Sequence, residues 1–385
     1  MNRKIVITAL WLFALLSVGW ILRTAQQQPK KINTTPAPPL RVEPAKASDA
    51  TGKTVAAAQA FLATLDDAGR AKASFVFNSD QKSKWSNLPV GIYKRNGLRW
   101  GDLNAAQRDA LMKMLATALS KQGLQKVAEI MDGDEVLRTS DSARGGGPGG
   151  GPPPGGAPPG GRGGGMGGPN FGRDEYYLAL LGAPSLTEPW MIQFGGHHLA
   201  INLTIVGKSN VLTPSLPAAQ PATYKLNGET VRPLGRENDK GFALINSFDA
   251  GQQKQAILPY QVSELVLGAG EDGKTIQPEG IKASALNAAQ QKMLLDLAHE
   301  WVGILNNEAA AAKMAEIKAS LPETWFAWSG PTTRGSAAYF RIQGPTLLIE
   351  YSPQRMRGSA GLDTSHIHTI YRDPTNDYGA RLVKR

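Results

Sequence analysis

The 385-residue chain contains no cysteine. This rules out disulfide staples, cysteine-ligated zinc, blue-copper and iron–sulfur centres, and thiol nucleophiles. Histidine is scarce too, with five residues at 197, 198, 299, 366 and 368. Several familiar catalytic patterns are also absent. No His-Glu-x-x-His helix is present for a zinc protease, and no Gly-x-Ser-x-Gly elbow for a serine hydrolase. The Gly-rich stretch from Gly145 to Gly168 has many Gly-x-Gly matches, but no Lys-Ser/Thr and no strand–helix context to cradle a phosphate. What remains is 41% hydrophobic and 19% charged, the balance of a globular protein able to bury a substantial core without staples.

The net charge of +10 loses its apparent meaning once it is located. Residues 1–50 hold seven basic residues (Arg3, Lys4, Arg23, Lys30, Lys31, Arg41, Lys46) against two acidic ones (Glu43, Asp49). The long remainder therefore carries 35 basic against 30 acidic side chains, with no basic stripe interleaved with aromatics. Nucleic acid is not an expected partner. Asn2-Arg3-Lys4 followed by an uncharged apolar run from Ile5 to Leu22 reads as a secretory signal peptide or signal anchor over residues 1–24. Ser17-Val-Gly19 offers a cleavage site, whereas Trp20 and Ile21 continue the span and favour an anchor. The expected location is the periplasm or the cell exterior, with residues 5–22 the only membrane contact and an inner-membrane anchor if they are retained. Residues 25–53 are polar and proline-rich, a tether leading to a single domain over 54–385.

Within that domain the same words occur twice. Leu103-Asn-Ala-Ala-Gln107 returns as Leu286-Asn-Ala-Ala-Gln290, an offset of 286 − 103 = 183. Asp67-Ala-Gly69 returns as Asp249-Ala-Gly251, and Ala128-Glu-Ile130 is echoed by Ala315-Glu-Ile317. Glu175-Tyr-Tyr matches Glu323-Thr-Trp with an offset of 148. The drop of 35 falls across a Gly/Pro-rich insert at about 144–170, which has no residue able to build a core. Ordered matches with an accountable gap point to duplication. The periodicity predicts helices over Val55–Phe75 and Leu103–Met131, then strands at Tyr176–Leu181 and Trp190–Val206. In the second copy strands are predicted at Trp325–Trp328, at Tyr339–Tyr351 broken at Gly344-Pro345, and at Ser365–Tyr371. The expected fold class is α+β, two pseudo-repeated halves (about 54–206 and 236–385), each with helices packed on an antiparallel sheet.

Four of the five histidines fall in two tight clusters. On a strand, the period of two puts His366 and His368 on one face and Ile367 on the other. Two such imidazoles can bind one transition metal if a third ligand arrives from elsewhere. His197 or His198 can supply it, both together only if a bulge at Gly195-Gly196 breaks the alternation. Aligning Gly195-Gly196 with Gly344-Pro345 sets His197 opposite Thr346, His198 opposite Leu347 and Ile201 opposite Glu350. A charged Glu350 inside apolar strand sequence needs a partner, so it is a candidate further ligand or catalytic base. Such a donor set suits Zn²⁺ or Cu²⁺, and with open positions Fe²⁺. Arg341 and Arg372 are candidate anchors for an anionic substrate, and Trp328 a candidate pocket wall. The alternative for Arg372 is a pair with Asp373 or Asp377 that fastens the last strand, and for Trp328 a place in the core.

These residues carry a resemblance. The segments Trp190–Asn202, Phe326–Gly330, Tyr339–Pro345 with Glu350, and His366–Gly379 are similar to those of a bacterial family catalogued as domain of unknown function 3500, over roughly Ala60 to Gly379. The Gly/Pro insert departs from it but lies outside the matching blocks. The resemblance implies an exported protein and no particular activity. The residues predict metal binding outside the cytoplasm, with metal-assisted hydrolysis and copper-dependent oxidation as the two enzymatic routes. A non-catalytic copper- or zinc-binding protein, and a surface protein whose histidines only pack, are the alternatives.

Overall fold

The computed structural model describes residues 28–34, 47–144, 170–355 and 361–382. The apolar leader and nearly all of the Gly/Pro-rich insert lie outside the described residues. Among the described residues no helix is long and apolar enough to cross a membrane. The stretch expected to be a tether contributes structure at two places. Lys31–Asn33 forms strand β1, and Ser48 caps a helix that already starts at Asp49, its hydroxyl accepting from the Thr51 N–H at 3.1 Å.

The first half opens with α1 (Asp49–Ala63) and α2 (Asp67–Ala73), followed by short strands β2 (Ser74–Phe75) and β3 (Leu98–Arg99). The single helix expected over Val55–Phe75 is split because Asp66 accepts the Gly69 N–H and starts a new helix. Helices α3 (Ala105–Ala118) and α4 (Lys121–Arg144) replace the expected long helix for a similar reason. Ser120 accepts the Gly123 N–H at 2.9 Å and donates to the Gly303 carbonyl at 2.6 Å, breaking the ladder between them. Then come β4 (Tyr177–Leu181), β5 (Trp190–Gly196), β6 (Leu199–Val206), β7 (Ser209–Val211), β8 (Leu216–Ala219) and the hairpin β9 (Tyr224–Leu226) with β10 (Glu229–Val231).

The second half contains α5 (Gly235–Asn246), α6 (Ala250–Ala256), β11 (Lys274–Ile276), β12 (Ile281–Lys282), α7 (Ala288–Val302) and α8 (Asn307–Ala319). Strands β13 (Trp325–Ser329), β14 (Tyr339–Gly344), β15 (Leu347–Arg355) and β16 (Leu362–Arg372) complete it. Asn104 and Asn287 each form a capping box with the glutamine three residues on, Gln107 and Gln290. Gln107 and Gln290 then donate to the Thr64 and Ser247 carbonyls.

The twelve-stranded sheet runs β12-β13-β14-β15-β16-β8-β6-β5-β4-β2, with β3 beside β4 and β7 beside β6. Only the β2–β4 pair within it is parallel. The C-terminal strand β16 therefore sits between the two sets of strands, bonded to β15 on one side and β8 on the other. Alternation along the strands separates two faces. Leu178, Leu180, Phe326, Trp328, Ile367 and Tyr371 share one cluster with the helix residues Phe61, Met114, Leu297 and Trp301. The opposite face is covered by connecting segments, through Phe77 and Trp85 near the first half and Leu258, Val262, Val266 and Leu267 near the second. His366 and His368 lie on this second face.

Candidate metal centre

His197 and His198 are the two turn residues of the β5–β6 hairpin, between the paired Gly196 and Leu199. No bulge is involved. A Cβ on Gly195 would lie 2.3 Å from the Leu199 carbonyl oxygen, and one on Gly196 would lie 2.8 Å from the Tyr176 ring, so the crossing requires glycine at both places. His198 adopts φ +62°, a left-handed conformation that costs an L-residue about 1 kcal/mol or more. Its carbonyl is held by the Ala218 N–H at 2.8 Å. The turn also corrects the expected matching of this hairpin with the β14–β15 hairpin. Gly344 pairs with Leu347 as Gly196 pairs with Leu199, which sets His197 opposite Pro345, His198 opposite Thr346, and Asn202 rather than Ile201 opposite Glu350.

The turn delivers His198 to β16. His198 Nε2 lies 3.0 Å from His366 Nε2, which lies 2.9 Å from His368 Nε2. Ligand atoms of the three residues all lie within 4.8 Å of one another. Their rings are inclined at 63°, 84° and 55°, so the in-plane lone pairs can converge on one point. His198 and His368 are buried, and His366 is half-buried at the edge of the site. Burial, reinforced by the neighbouring imidazoles, holds His198 and His366 well below the usual histidine range, which keeps them neutral with lone pairs free.

Three mutually facing nitrogens pose a problem that hydrogen bonds cannot solve. A neutral imidazole nitrogen carries one N–H or one lone pair. His366 Nε2 can therefore serve one of its two close neighbours in-plane and leaves the other facing it without a bond. Two nitrogens each about 2.05 Å from one ion are separated by about 2.9 Å at 90° and about 3.3 Å at 109°. The observed separations fit that arrangement.

Carboxylates stand behind two of the three rings. Asp134, buried on α4, lies 3.3 Å from His198 Nδ1, and Glu264 Oε1 lies 3.3 Å from His368 Nδ1. A carboxylate at Nδ1 turns Nε2 toward a metal, the usual outer support of histidine ligands; Glu264 does this for His368, while Asp134 lies beside His198 Nδ1 without a well-aligned hydrogen bond. Asp134 also meets His197 Nδ1 at 2.9 Å and accepts from the Tyr176 hydroxyl at 2.7 Å. Burial raises its carboxyl above the ordinary range, opposed mainly by His197. Asp134, His197 and His198 form a second group with ligand spacing. It is the poorer one, because the two imidazoles stack at 3.5 Å with only 33° between planes and send their lone pairs nearly parallel. His197 is thus a packing partner of His198, wedged between it and Phe171, whose ring centroid is 4.9 Å away. The Asn87 amide nitrogen is 3.4 Å from both ring nitrogens of His368. In the ring plane that position would collide with Cε1, so Asn87 lies over the face of the ring and leaves its edge free.

The remaining expected site residues lie elsewhere. Glu350 accepts from the Val266 and Leu267 N–H groups at 2.9 and 2.8 Å and from the Tyr339 hydroxyl at 2.8 Å. Its partners are loop backbone and a tyrosine, and it is not among the groups around the imidazoles. Arg372 donates to Asp272, Asp377 and the carbonyls of Leu267 and Gly268, which leaves no fork for a substrate. Arg341, opposite Glu350, donates to Glu279 at 3.1 Å and is buried away from solvent. Trp328 stacks on Phe340 in the helix-side core. His299 is exposed on α7. The segment Gly268–Thr275 has the spacing of a phosphate-binding loop, but it runs into β11 instead of a helix and Lys274 pairs with Glu271 at 2.9 Å.

A family model described as protein of unknown function (DUF3500) matches residues 47–380, and the chain belongs to that family. No curated protein and no solved structure matches the chain.

Proposed function

We propose that this family member binds one divalent transition metal through His198, His366 and His368, and that it does so outside the cytoplasm. The observation that carries the reading is the triangle of Nε2 atoms, with His366 Nε2 at 3.0 and 2.9 Å from its two neighbours. Asp134 and Glu264 support it from behind and supply negative charge that a cation would balance. All-nitrogen ligation favours Cu²⁺ or Zn²⁺ over Fe²⁺. Three protein ligands leave at least one position open, the pattern of reactive rather than sealed sites. Metal-assisted hydrolysis and copper-dependent oxidation both use such a position. A non-catalytic copper- or zinc-binding role is the alternative. The charged, apolar leader of residues 1–24 supports export, and residues 5–22 the only attachment to a membrane.

We also read the two halves as copies of one unit. β2 pairs Ser74 with Leu180 in parallel, and Ile257 bridges Trp328 in the same sense, 183 and 148 residues further on (257 − 74 and 328 − 180). Leu98–Leu178 and Ile281–Phe326 are related by the same two offsets. In this reading the metal ligands are additions to the unit, since Pro345 and Thr346 stand where the first half has its two histidines.

The test is elemental mass spectrometry of the protein purified from an exporting host, beside a His366→Ala/His368→Ala variant. About one equivalent of copper, zinc or iron that disappears in the variant is the expected result. A folded wild-type protein that stays metal-free after incubation with Cu²⁺ and Zn²⁺ would overturn the reading and leave a surface protein whose histidines pack.

A further inference from the structure

We infer that Glu350 is a positioning residue for the imidazole cluster, acting through the segment Val262–Gly268 and the Glu264 carboxylate it presents. The inference rests on the metal reading above and adds to it a part of the chain that touches no imidazole. The segment is clamped at both ends by side chains rooted in the sheet. On the near side, Ser329 of β13 accepts the Val262 N–H at 3.0 Å and donates to the Tyr260 carbonyl at 2.8 Å. On the far side, the buried Glu350 of β15 takes the N–H groups of Val266 and Leu267, one on each carboxylate oxygen. Arg372 of β16 holds the Leu267 and Gly268 carbonyls, each at 2.8 Å.

Between these fixed points only Ser263, Glu264 and Leu265 remain. Glu264 Oε1 is steadied by the Leu265 N–H at 2.7 Å and meets His368 Nδ1 at 3.3 Å. Gln354 of β15 also hydrogen-bonds this carboxylate, and the rest of the Glu264 side chain is exposed. A free carboxylate in that setting would sample many rotamers, and its loop, with Gln354, fixes the one that faces His368. A carboxylate at Nδ1 holds the proton there and leaves Nε2 as the bare nitrogen, which is the tautomer the triangle requires. Two buried acids thus bear on the cluster by different routes. Asp134 of α4 lies 3.3 Å from His198 Nδ1, whereas Glu350 backs His368 through a loop. Glu350 opposes Ile370 in the β15–β16 pair, two residues along from His368, on the same face of the sheet.

The experiment is a double-mutant cycle on the full chain, with Zn²⁺ and Cu²⁺ affinities measured by competition with a chromophoric chelator. Glu264→Gln and Glu350→Gln are each expected to weaken binding about tenfold or more. The double variant is expected to be no weaker than the worse single one, because both remove the same support. A purely structural Glu350 would lower thermal stability and leave metal affinity, or the additivity of the two changes, untouched. Wild-type affinity in a folded Glu350→Gln protein, or losses that multiply, would overturn the inference. If Glu350→Gln does not fold, Ser329→Ala loosens the other clamp and is expected to show the same non-additivity with Glu264→Gln, with multiplying losses again decisive against it. A wild-type chain that binds neither ion refutes the metal reading instead. In that case ¹⁵N NMR of the ion-free protein still decides the positioning role, a shift of His368 away from the Nδ1–H tautomer in Glu350→Gln supporting it and an unchanged tautomer overturning it.

Discussion

A His198→Gly substitution removes one of three converging imidazoles at a place where the backbone itself disfavours a side chain, φ being +62°. Truncating a large buried side chain ordinarily costs about 2–5 kcal/mol. Here the left-handed strain of about 1 kcal/mol is relieved. Glycine's greater freedom in the unfolded chain takes back about 0.4–1 kcal/mol. Lost ring contacts add about 1–2 kcal/mol, and His198 Nδ1, which lacks a well-aligned hydrogen bond, is removed with the ring. The ion-free variant should therefore lie within about 2 kcal/mol of wild type. Metal behaves differently. Free ion at about a thousand times the dissociation constant stabilises the wild type by about 4 kcal/mol. At about 2 °C per kcal/mol for a chain of this size, that is a rise of about 8 °C in melting temperature. Scanning calorimetry with and without Zn²⁺ or Cu²⁺ measures both quantities. The expected result is a small change without metal and loss of most of the metal-induced rise. An equal rise in the variant would refute the convergence argument, and a metal-free loss well above 3 kcal/mol would refute the strain argument.

Two further outcomes test the same physics elsewhere. Lys126 of α4 and Glu237 of α5 form a buried ion pair, and burial already pushes the Glu237 carboxyl up against the pull of Lys126. Lys126→Met should cost about 3–5 kcal/mol in urea unfolding because a lone buried carboxylate remains, and adding Glu237→Leu should recover much of it. Single and double variants of equal stability would show the pair to be inert. The second concerns pH. Burial depresses His366, so below about pH 6.5 the unfolded chain binds a proton that the folded, metal-free protein does not. More protons on the unfolded state means stability that falls as pH falls. The metal-free protein should lose stability between pH 7 and 5, more steeply than His366→Gln. Parallel slopes would remove the site from the pH response.

Much of the scaffold was legible because periodicity and capping are local. The alternation around His366-Ile-His368 assigned both imidazoles to one face, and the structure places Ile367 on the other, in the helix-side core. Helix boundaries were less legible. Asp66 and Ser120 lie in sequence that keeps its helical period, and each starts a new helix by accepting a backbone N–H on its side chain. The adjacent histidines were harder still, since strand logic has no place for a two-residue turn with one left-handed histidine. Asp134 had an overlooked signal. It continues the spacing of Val127, Ile130 and Met131, so an acid occupies the buried stripe of a helix, which demands a polar partner. Glu350 and Arg341 were expected at the site and lie elsewhere, whereas for Arg372 the alternative of a pair with Asp377 is the one observed. Glu350 takes two backbone N–H groups of a connecting loop, and Arg372 holds two of its carbonyls besides Asp272 and Asp377; no residue pattern announces those backbone contacts.

The placement of β16 accounts for where the imidazole cluster forms. Two hairpins carry two-residue turns, His197-His198 between β5 and β6 and Pro345-Thr346 between β14 and β15. A turn can assemble a three-ligand site only if another strand brings donors past it. Strand β16 runs between β15 and β8, and β8 in turn pairs with the start of β6, at Leu199 and Ala200. The pairing of Ile367 with Ala219 and His368 with Ala218 sets the height of the two imidazoles on that strand. The Ala218 N–H also bonds the His198 carbonyl, so one short strand registers all three ligands. A slip of one residue between β16 and β8 would turn His366 and His368 to the helix face and bring Ile367 toward the site. That slip is opposed by Ile367 in the core and by Thr369, whose hydroxyl receives the Trp301 indole N–H at 2.9 Å and donates to the Pro217 carbonyl at 2.6 Å. The placement of the imidazoles on one face is thus held by apolar burial and two hydrogen bonds of neighbouring residues.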